Sequence, residues 1–179
     1  FNSSFDGLLE TYPSKAIPSI VNEKAKYYAE LTAVVDVLNA LPGGRSSRFK
    51  LLDVGGGSGN FAWLVKDLFD LDVFMVDRQT EFAPELGRVM GDSYGVIQRM
   101  SKKEITFSGV DPVSEEFLID ETFDVIVNFD VIEHLSCGVP LFVEKLSKKL
   151  TDTGCLVLST PNQVHLLNRI KSILGKNTW

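Results

Sequence analysis

LLDVGGGSG, residues 51–59, decides the fold, because an apolar run that ends in Asp53 passes directly into a turn with Gly55, Gly57 and Gly59 at alternate positions. Glycine is needed where the backbone takes a positive φ or lies against a ligand with no room for a Cβ atom. The turn leads straight into a helical pattern, so we expect its free N–H groups to face a cleft. The stretch therefore predicts a strand, a tight turn and a helix that together hold a ligand.

The rest of the chain alternates short apolar runs with helical patterns, after an opening 1–19 that is predicted to be irregular, with room for a short turn of helix. Strands that are apolar on both faces and separated by helices are typical of a parallel sheet covered by helices. We therefore predict an α/β protein with a Rossmann-like, doubly wound parallel sheet and helices on both faces, with ligands beyond the carboxyl ends of the strands. The predicted strands are 49–54, 73–76, 105–110, 125–129 and 155–159, and the predicted helices are 19–41, 61–69, 81–90, 140–150 and 164–174.

Composition and charge restrict the possible functions. The 179 residues are enough for one domain with a hydrophobic core, and no apolar run reaches the ~18–20 residues that a membrane-spanning helix needs. The net charge of −6 argues against a nucleic-acid partner, since phosphate neutralisation needs a basic face. Cys137 and Cys155 lack the spacing of a zinc site, so they are predicted to be buried free thiols of a cytoplasmic protein.

The spacing of the glycines leaves two cofactor classes open. The dinucleotide fingerprint G-x-G-x-x-G fails from Gly55, because its third glycine would fall on Asn60. Counted from Gly57 and Gly59, its third place falls on Ala62, which the looser form of the fingerprint allows. An NAD-dependent oxidoreductase domain therefore stays as an alternative, beside a tight turn that binds no ligand.

Asp77 follows the second predicted strand, in the run DVFMVD. A carboxylate at this place accepts both hydroxyl groups of a ribose, which suits adenosyl and NAD cofactors alike. The alternative is that Asp77 caps the next helix, since aspartate is a common cap.

Three stretches of the sequence resemble one known family. D-V-G-G-G-S-G resembles the acidic-x-Gly-x-Gly-x-Gly motif of class I S-adenosylmethionine (SAM) dependent methyltransferases. D-V-I-E-H-L and the later LSKKLTDTGCLVLSTPN are similar to small-molecule methyltransferases of the ubiquinone and menaquinone pathways. The resemblance covers 49–162 and implies SAM as the cofactor, with Asp53 near its amino group and Gly55, Gly57 and Gly59 along its methionine half.

For the adenosine half, the resemblance implies that Asp77 anchors the ribose and that Arg78 lies beside the adenosine. Asp111, after the third predicted strand, is similar to the acid that faces the adenine amino group, although an Asp-Pro pair also opens turns. Asn128 and Phe129, at the end of the fourth predicted strand, are expected to face the sulfonium region.

Asp130, Glu133 and His134, within D-V-I-E-H-L, allow three interpretations. His134 fixes the loop after the fourth strand, or it acts as a general base that takes the proton of an acceptor hydroxyl. In the third interpretation, the side chains of Asp130, Glu133 and His134 bind Mg²⁺ or Mn²⁺, as in the similar Glu-x-x-Glu-His element of small-RNA 2′-O-methyltransferases. We keep His134 and Asp130 as candidate catalytic residues and assign no metal.

The expected organisation is a single domain in three parts: a helical cap segment 1–48, a SAM-binding core 49–162, and the start of a helical insertion or lid at 163–179. A methyltransferase sheet normally has two further strands after the fifth, and only 20 residues follow Ser159. The chain is therefore expected to lack the C-terminal strands and to be part of a longer protein that completes the acceptor site.

The resulting prediction is a SAM-dependent methyltransferase that acts on an oxygen, rather than a nitrogen or carbon, of a small-molecule, sugar or lipid-precursor acceptor. Such a transfer depends mainly on positioning and on exclusion of water, so the missing catalytic triad is no objection. The alternatives are an NAD-dependent oxidoreductase domain and a non-catalytic SAM-binding module or subunit, and an RNA substrate ranks below both.

Overall fold

The computed structural model of the protein describes residues 1–43, 48–78, 95–114, 120–135 and 138–161. The helices predicted at 81–90 and 164–174 lie outside the described residues, as does Cys137. Within the described ranges, no helix is long and apolar enough to cross a membrane.

A five-stranded parallel sheet forms the centre of the chain. Its strands lie in the order β3-β2-β1-β4-β5, so the chain builds outward from β1 on one side and then continues on the other side with β4. Doubly wound sheets bind ligands at such a reversal, beyond the carboxyl ends of the strands. The strands are β1 (Lys50–Val54), β2 (Asp72–Val76), β3 (Thr106–Ser108), β4 (Phe123–Phe129) and β5 (Leu150–Ser159).

Helices cover both faces of the sheet, which confirms the predicted Rossmann-like, doubly wound fold. Side chains alternate along each strand, so Leu51 belongs to one hydrophobic cluster and Leu52 to the other. The first cluster contains residues of α1 to α5, and α6 packs on the opposite face. The helices are α1 (Asn2–Glu10), α2 (Ile17–Asn22), α3 (Lys24–Ala40), α4 (Asn60–Leu68), α5 (Val96–Lys102) and α6 (Val139–Ser147).

The N-terminal segment is more helical than predicted. The irregular chain expected at 1–19 is wrong, because α1 packs on α4 and buries Phe5 and Leu8 in the first hydrophobic cluster. This tertiary packing stabilises a short helix. The single helix predicted over 19–41 is two helices, which meet at Glu23. α5 falls between the predicted helix 81–90 and the predicted strand 105–110, where no element was predicted, because the buried Arg99 interrupts its apolar pattern.

β5 begins at Leu150, five residues earlier than predicted, and its pairing with β4 is irregular. The register shifts between Phe123, which faces Leu150, and Val125, which faces Cys155. A Cβ atom on Gly154 would lie 2.9 Å from the main-chain oxygen of Phe123, so the irregularity needs a glycine.

Arg99 connects α5 to the N-terminal segment and to the start of α4. Its buried guanidinium donates hydrogen bonds to the hydroxyl of Tyr12 at 2.5 Å, to the main-chain oxygen of Ser58 at 3.2 Å and to Oδ1 of Asn60 at 3.1 Å. It also lies 4.0 Å from the centre of the Tyr12 ring, within range of a cation–π interaction. The hydroxyl of Tyr12 in turn donates to Oδ1 of Asn60.

The same network continues into α3. Nδ2 of Asn60 donates to the hydroxyl of Tyr27 at 3.0 Å, and that hydroxyl donates to the carboxylate of Glu23 at 2.6 Å. Burial, together with the bond to Glu23, raises the pKa of Tyr27, which keeps its hydroxyl protonated as a donor. Three helices of the cap and core are therefore held together next to the glycine turn by buried polar groups.

Tyr12→Phe tests this network. The substitution removes the hydroxyl that accepts from Arg99 and donates to Asn60, so we expect the free energy of unfolding to fall by about 1–3 kcal/mol. Tyr28→Phe is the matched control, because the Tyr28 ring is 60% exposed and its change is expected to stay within about 0.5 kcal/mol. Chemical denaturation measures both variants, and equal stabilities for the two would contradict the role given to Tyr12.

Candidate functional site

The glycine turn, residues 55–59, joins β1 to α4 at the carboxyl edge of the sheet. Gly55, Gly57 and Gly59 have φ angles of +78°, +55° and +73°, and Gly59 is also the residue that caps the N-terminus of α4. All three lie in the left-handed region that favours glycine. The alternation seen in the sequence is therefore a requirement of the backbone.

The three glycines differ in what surrounds them. A Cβ atom on Gly55 would lie 2.4 Å from Cγ2 of Val131, and one on Gly59 would lie 2.6 Å from Cε of Met100. At Gly57, none of the described heavy atoms comes within 4 Å of the corresponding position. Gly55 and Gly59 therefore allow close packing within the protein, whereas Gly57 is the place where a ligand has room to lie against the backbone.

Asp77 holds the glycine turn against the end of β2. It is buried, and its Oδ2 accepts a hydrogen bond from the N–H group of Gly57 at 2.8 Å. The N–H group of Gly55 donates to the main-chain oxygen of Val76 at 2.7 Å. The expectation of free N–H groups facing a cleft is therefore wrong for Gly55 and Gly57, because the protein itself uses both donors.

Asp53 is a buried carboxyl group at the same edge. Only 3% of the residue is exposed, and its Oδ2 accepts no hydrogen bond from the part of the chain that the structure describes. Burial raises the pKa of Asp53 to about 8, and the negative charges of Glu30 and Asp77 add to the effect. An ionised carboxylate only accepts hydrogen bonds, and an unpartnered one in the interior is costly. The position therefore suits a ligand group that brings positive charge or hydrogen-bond donors.

Glu30, in the middle of α3, is a second buried carboxyl group that sequence reasoning missed. It is 7% exposed, and its Oε1 accepts no hydrogen bond from the described residues. Burial raises the pKa of Glu30 to about 7, against the opposing charge of Lys26. The sequence does contain a signal for it, since Glu30 falls on the buried stripe of α3 between Tyr27 and Val34.

Lys26 connects α3 to the end of β4. Its ammonium group lies 2.7 Å from Oδ2 of Asp130 and 3.7 Å from Oε1 of Glu30. Ser159, the last residue of β5, donates its hydroxyl to Oδ1 of Asp130 at 3.1 Å. Asp130 itself has a φ of +54°, an uncommon conformation for a residue with a side chain. These contacts fix the position of the Asp130 carboxylate.

Asn128 and Phe129 take different positions at the end of β4. Asn128 is fully buried, and its Nδ2 donates to the main-chain oxygen of Val54 at 2.8 Å, which ties β4 to β1. Its Oδ1 has no hydrogen-bond partner among the described residues. Phe129 is half-buried and packs edge-on against Phe61 of α4, with the ring centres 4.9 Å apart.

Arg78 and Asp111 were predicted beside the adenosine. Arg78 follows Asp77 at the carboxyl edge and is exposed. Asp111 is half-buried, and its Oδ1 accepts a hydrogen bond from the N–H group of Val113 at 2.9 Å, as in the turn that an Asp-Pro pair favours. Both adenosine contacts therefore stay predictions.

Glu133 and His134 lie in a single turn of 3-10 helix, Ile132–His134, after β4. His134 is exposed, and a carboxylate oxygen of Glu133 accepts a hydrogen bond from the hydroxyl of Thr160 at 3.3 Å. The described residues contain no group of three or more histidine, cysteine, aspartate or glutamate side chains placed to hold a metal ion. Asp130, Glu133 and His134 are thus not gathered as a metal-binding set.

Comparison with known families agrees with this geometry. Residues 23–178 match the family described as the methyltransferase domain. The chain belongs to that family. The match begins next to α3, so it takes in Lys26 and Glu30 as well as the glycine turn. The predicted resemblance to class I SAM-dependent methyltransferases is confirmed, and the more specific likeness to ubiquinone-pathway enzymes stays a prediction.

Solved structures share the fold of this methyltransferase domain. SAM-bound CalS10, an amino pentose methyltransferase from Micromonospora echinaspora, is 22% identical with a TM-score of 0.55, over 79% of this chain and 56% of that one. Haemonchus contortus phosphoethanolamine N-methyltransferase 2, in complex with SAM, is 19% identical with a TM-score of 0.54, over 80% and 33% of the two chains. DesVI from Streptomyces venezuelae is 18% identical with a TM-score of 0.52, over 75% and 51%.

The methyltransferase domain described here spans between a third and somewhat more than half of the length of these three proteins. No match was found among curated protein sequences. Similarity at these identities shows the fold alone.

Asp53→Asn tests the buried carboxyl group of the methyltransferase domain. The pKa of about 8 in the folded protein lies above the ordinary value of about 3.9, so the folded state holds more protons than the unfolded state between these values. Asp53 therefore makes the free energy of unfolding fall as the pH rises from about 4 to about 8.

In Asp53→Asn this contribution is absent. The difference in free energy of unfolding, variant minus wild type, should therefore increase as the pH rises from 5 to 8. We expect an increase of more than about 1.4 kcal/mol, which is the equivalent of one unit of pKa shift. Urea denaturation at a series of pH values measures the difference. A wild type and a variant whose stabilities run parallel over this range would show that Asp53 has an ordinary pKa.

Proposed function

We propose that this chain is the cofactor-binding part of a SAM-dependent methyltransferase. The observation that carries the proposal is a buried oxygen of Asp53 that receives no hydrogen bond from the described residues, at the same edge of the sheet as the open space at Gly57. SAM brings a charged amino group that would donate hydrogen bonds to the Asp53 oxygen. The chain of atoms in its methionine half would fill the space at Gly57. The SAM-bound solved relatives support the choice of cofactor.

The described residues fit SAM in two parts. Asp53 would receive the amino group of the methionine half, and Gly57 would lie under that half because nothing described occupies the space beside it. Asp77 would accept the ribose hydroxyls while it holds the turn through Gly57. We keep Asp111 for the adenine, Arg78 beside the adenosine, and Asn128 and Phe129 near the sulfur as parts of the proposal.

The chemistry that SAM supplies when bound is a methyl group on a positively charged sulfur. The residues of this chain have to bind and orient the reactants and keep water away, and proximity alone accounts for a large part of such an acceleration. Phe61 and Phe129 form an apolar contact at the end of β4 that suits the exclusion of water there. The cap segment 1–48 would close the site, since Lys26 and Glu30 reach the carboxyl edge from α3.

We propose a small-molecule acceptor, with oxygen as the acceptor atom and a sugar or lipid precursor as the substrate class. Two of the solved relatives are an amino pentose methyltransferase and a phosphoethanolamine N-methyltransferase, and both names refer to small-molecule acceptors. His134 is the candidate general base because its ring is exposed beside the end of β4. Asp130 is occupied by Lys26 and Ser159, so we give it the role of positioning α3.

Asp77→Ala tests the cofactor. Because the carboxylate is proposed to hold the ribose, we expect S-adenosylhomocysteine and SAM to bind more weakly by about 1.5–3 kcal/mol in calorimetry. Asp77→Asn is the matched variant, since its amide oxygen still accepts from the N–H group of Gly57 and the variant should lose less. An affinity that is unchanged in both variants contradicts the ribose role, and a wild type that binds NAD but not SAM contradicts the proposal itself.

Gly57→Ala tests the open space beside the turn. A methyl group there meets no described atom, so the cost to folding is only the left-handed conformation, about 1–2 kcal/mol. We expect the affinity for S-adenosylhomocysteine to fall more than tenfold, because the methyl group enters the space proposed for the ligand. If the Gly57→Ala variant unfolds at a lower temperature but binds S-adenosylhomocysteine with the wild-type affinity, no ligand lies against Gly57.

A further inference from the structure

We propose that Glu30 of α3 is a second cofactor-binding carboxylate, which joins Asp53 in receiving the amino group of the methionine half of SAM. The inference rests on the proposed function and deepens it, because it makes the cap segment part of the cofactor site. A cap residue with this role would couple cofactor binding to the position of α3.

Glu30 is a buried acid whose pairing within the described residues is incomplete, since Lys26 lies 3.7 Å from its Oε1 and donates no hydrogen bond to it. More than nine-tenths of the residue is buried, and among the described groups none donates a hydrogen bond to its Oε1. Glutamate is almost never fully buried unless it is paired. A buried polar atom that lacks a partner in the protein calls for one from elsewhere.

Glu30 also lies close enough to Asp53 for the two charges to interact. After burial, the charge of Glu30 is the largest influence that raises the pKa of Asp53. Each carboxyl group has one buried oxygen without a hydrogen bond from the described chain. An ammonium group has three donors and no acceptor, so it can serve both oxygens at once.

The nearby cation, Lys26, is paired elsewhere. Lys26 is the lysine next to both groups, but its ammonium is 2.7 Å from Asp130 and 3.7 Å from Glu30, so it pairs mainly with Asp130. The charges that face Glu30 are Lys26, Asp130, Glu23 and the neighbouring Asp53, and those that face Asp53 are Glu30, Asp77 and Lys26. Glu30 and Asp53 are both buried, and one lysine that pairs mainly with Asp130 does not neutralise them, so the two buried acids attract a cation.

Two buried acids with raised pKa values are partly protonated near neutral pH. An ammonium ion binds to the ionised form, so binding should release protons to the solution. The affinity should rise from pH 6 to about pH 7.5, a range in which an α-amino group remains largely charged. This behaviour separates a ligand-binding pair of acids from a pair that only fills the interior.

The experiment is calorimetry with two probes and three proteins. The probes are S-adenosylhomocysteine, which has the amino acid, and 5′-methylthioadenosine, which lacks it. The proteins are the wild type, Glu30→Gln and Glu23→Gln. Glu23→Gln is the matched control, because it removes the same charge from the exposed residue before α3 and keeps an oxygen that accepts from Tyr27.

We expect Glu30→Gln to weaken the binding of S-adenosylhomocysteine about ten- to a hundredfold, the range for a hydrogen bond to a charged group, and to leave methylthioadenosine unchanged. Glu23→Gln should bind both probes like the wild type. Wild-type affinity of Glu30→Gln for S-adenosylhomocysteine would overturn the inference. If neither probe binds the wild type, the proposed function fails, and this outcome is distinct from the first.

Proton release gives a second readout that a merely structural role would not move. Titrations of the wild type at pH 7 in buffers of different ionisation enthalpy should show protons released with S-adenosylhomocysteine and none with methylthioadenosine. Glu30→Gln should release fewer. Equal release from Glu30→Gln and the wild type, or binding of S-adenosylhomocysteine to the wild type without any release, would contradict a shared ammonium site.

Discussion

The carboxyl group of Asp53 is buried at the end of the central strand of the sheet, and one of its oxygens receives no hydrogen bond from the described residues. Folding around such a group is costly, and the glycine turn makes the arrangement possible. A Cβ atom on Gly56 would lie only 2.7 Å from that oxygen. The turn next to Asp53 therefore needs its glycines for the acid as well as for the left-handed backbone. The preference for a cationic ligand follows from this buried acid, and the open space at Gly57 and the acid Glu30 lie at the same edge of the sheet.

The cap segment belongs to the site for physical reasons. Arg99, Tyr12 and Asn60 form a buried polar network that ties the N-terminal helices to the start of α4. Lys26 ties α3 to the end of β4 through Asp130. As a result, α3 is held where its one buried acid faces the carboxyl edge of the sheet.

The sequence predicts the parts of this structure that repeat a simple pattern. β1, β2 and β4 are apolar runs, the alternating glycines mark the turn, and Asp53 and Asp77 are acids at strand ends, so all were predicted close to their observed places. α1 and α5 were missed because their stability comes from tertiary contacts rather than from periodicity. The N–H groups of Gly55 and Gly57 were predicted to be free, and the main-chain oxygen of Val76 and the carboxylate of Asp77 accept their hydrogen bonds instead. Partners brought from distant parts of the chain cannot be read from local spacing.

The most direct test of the account is the protonation state of Asp53 itself. Carbon-13 NMR of the labelled carboxyl group, followed through a pH titration, measures its pKa with and without S-adenosylhomocysteine. The account predicts a value of about 8 in the ligand-free protein and a clear fall when the ligand is bound, because a positive charge then lies beside the carboxylate. An ordinary value in the free protein, or a raised value that the ligand leaves unchanged, would contradict it.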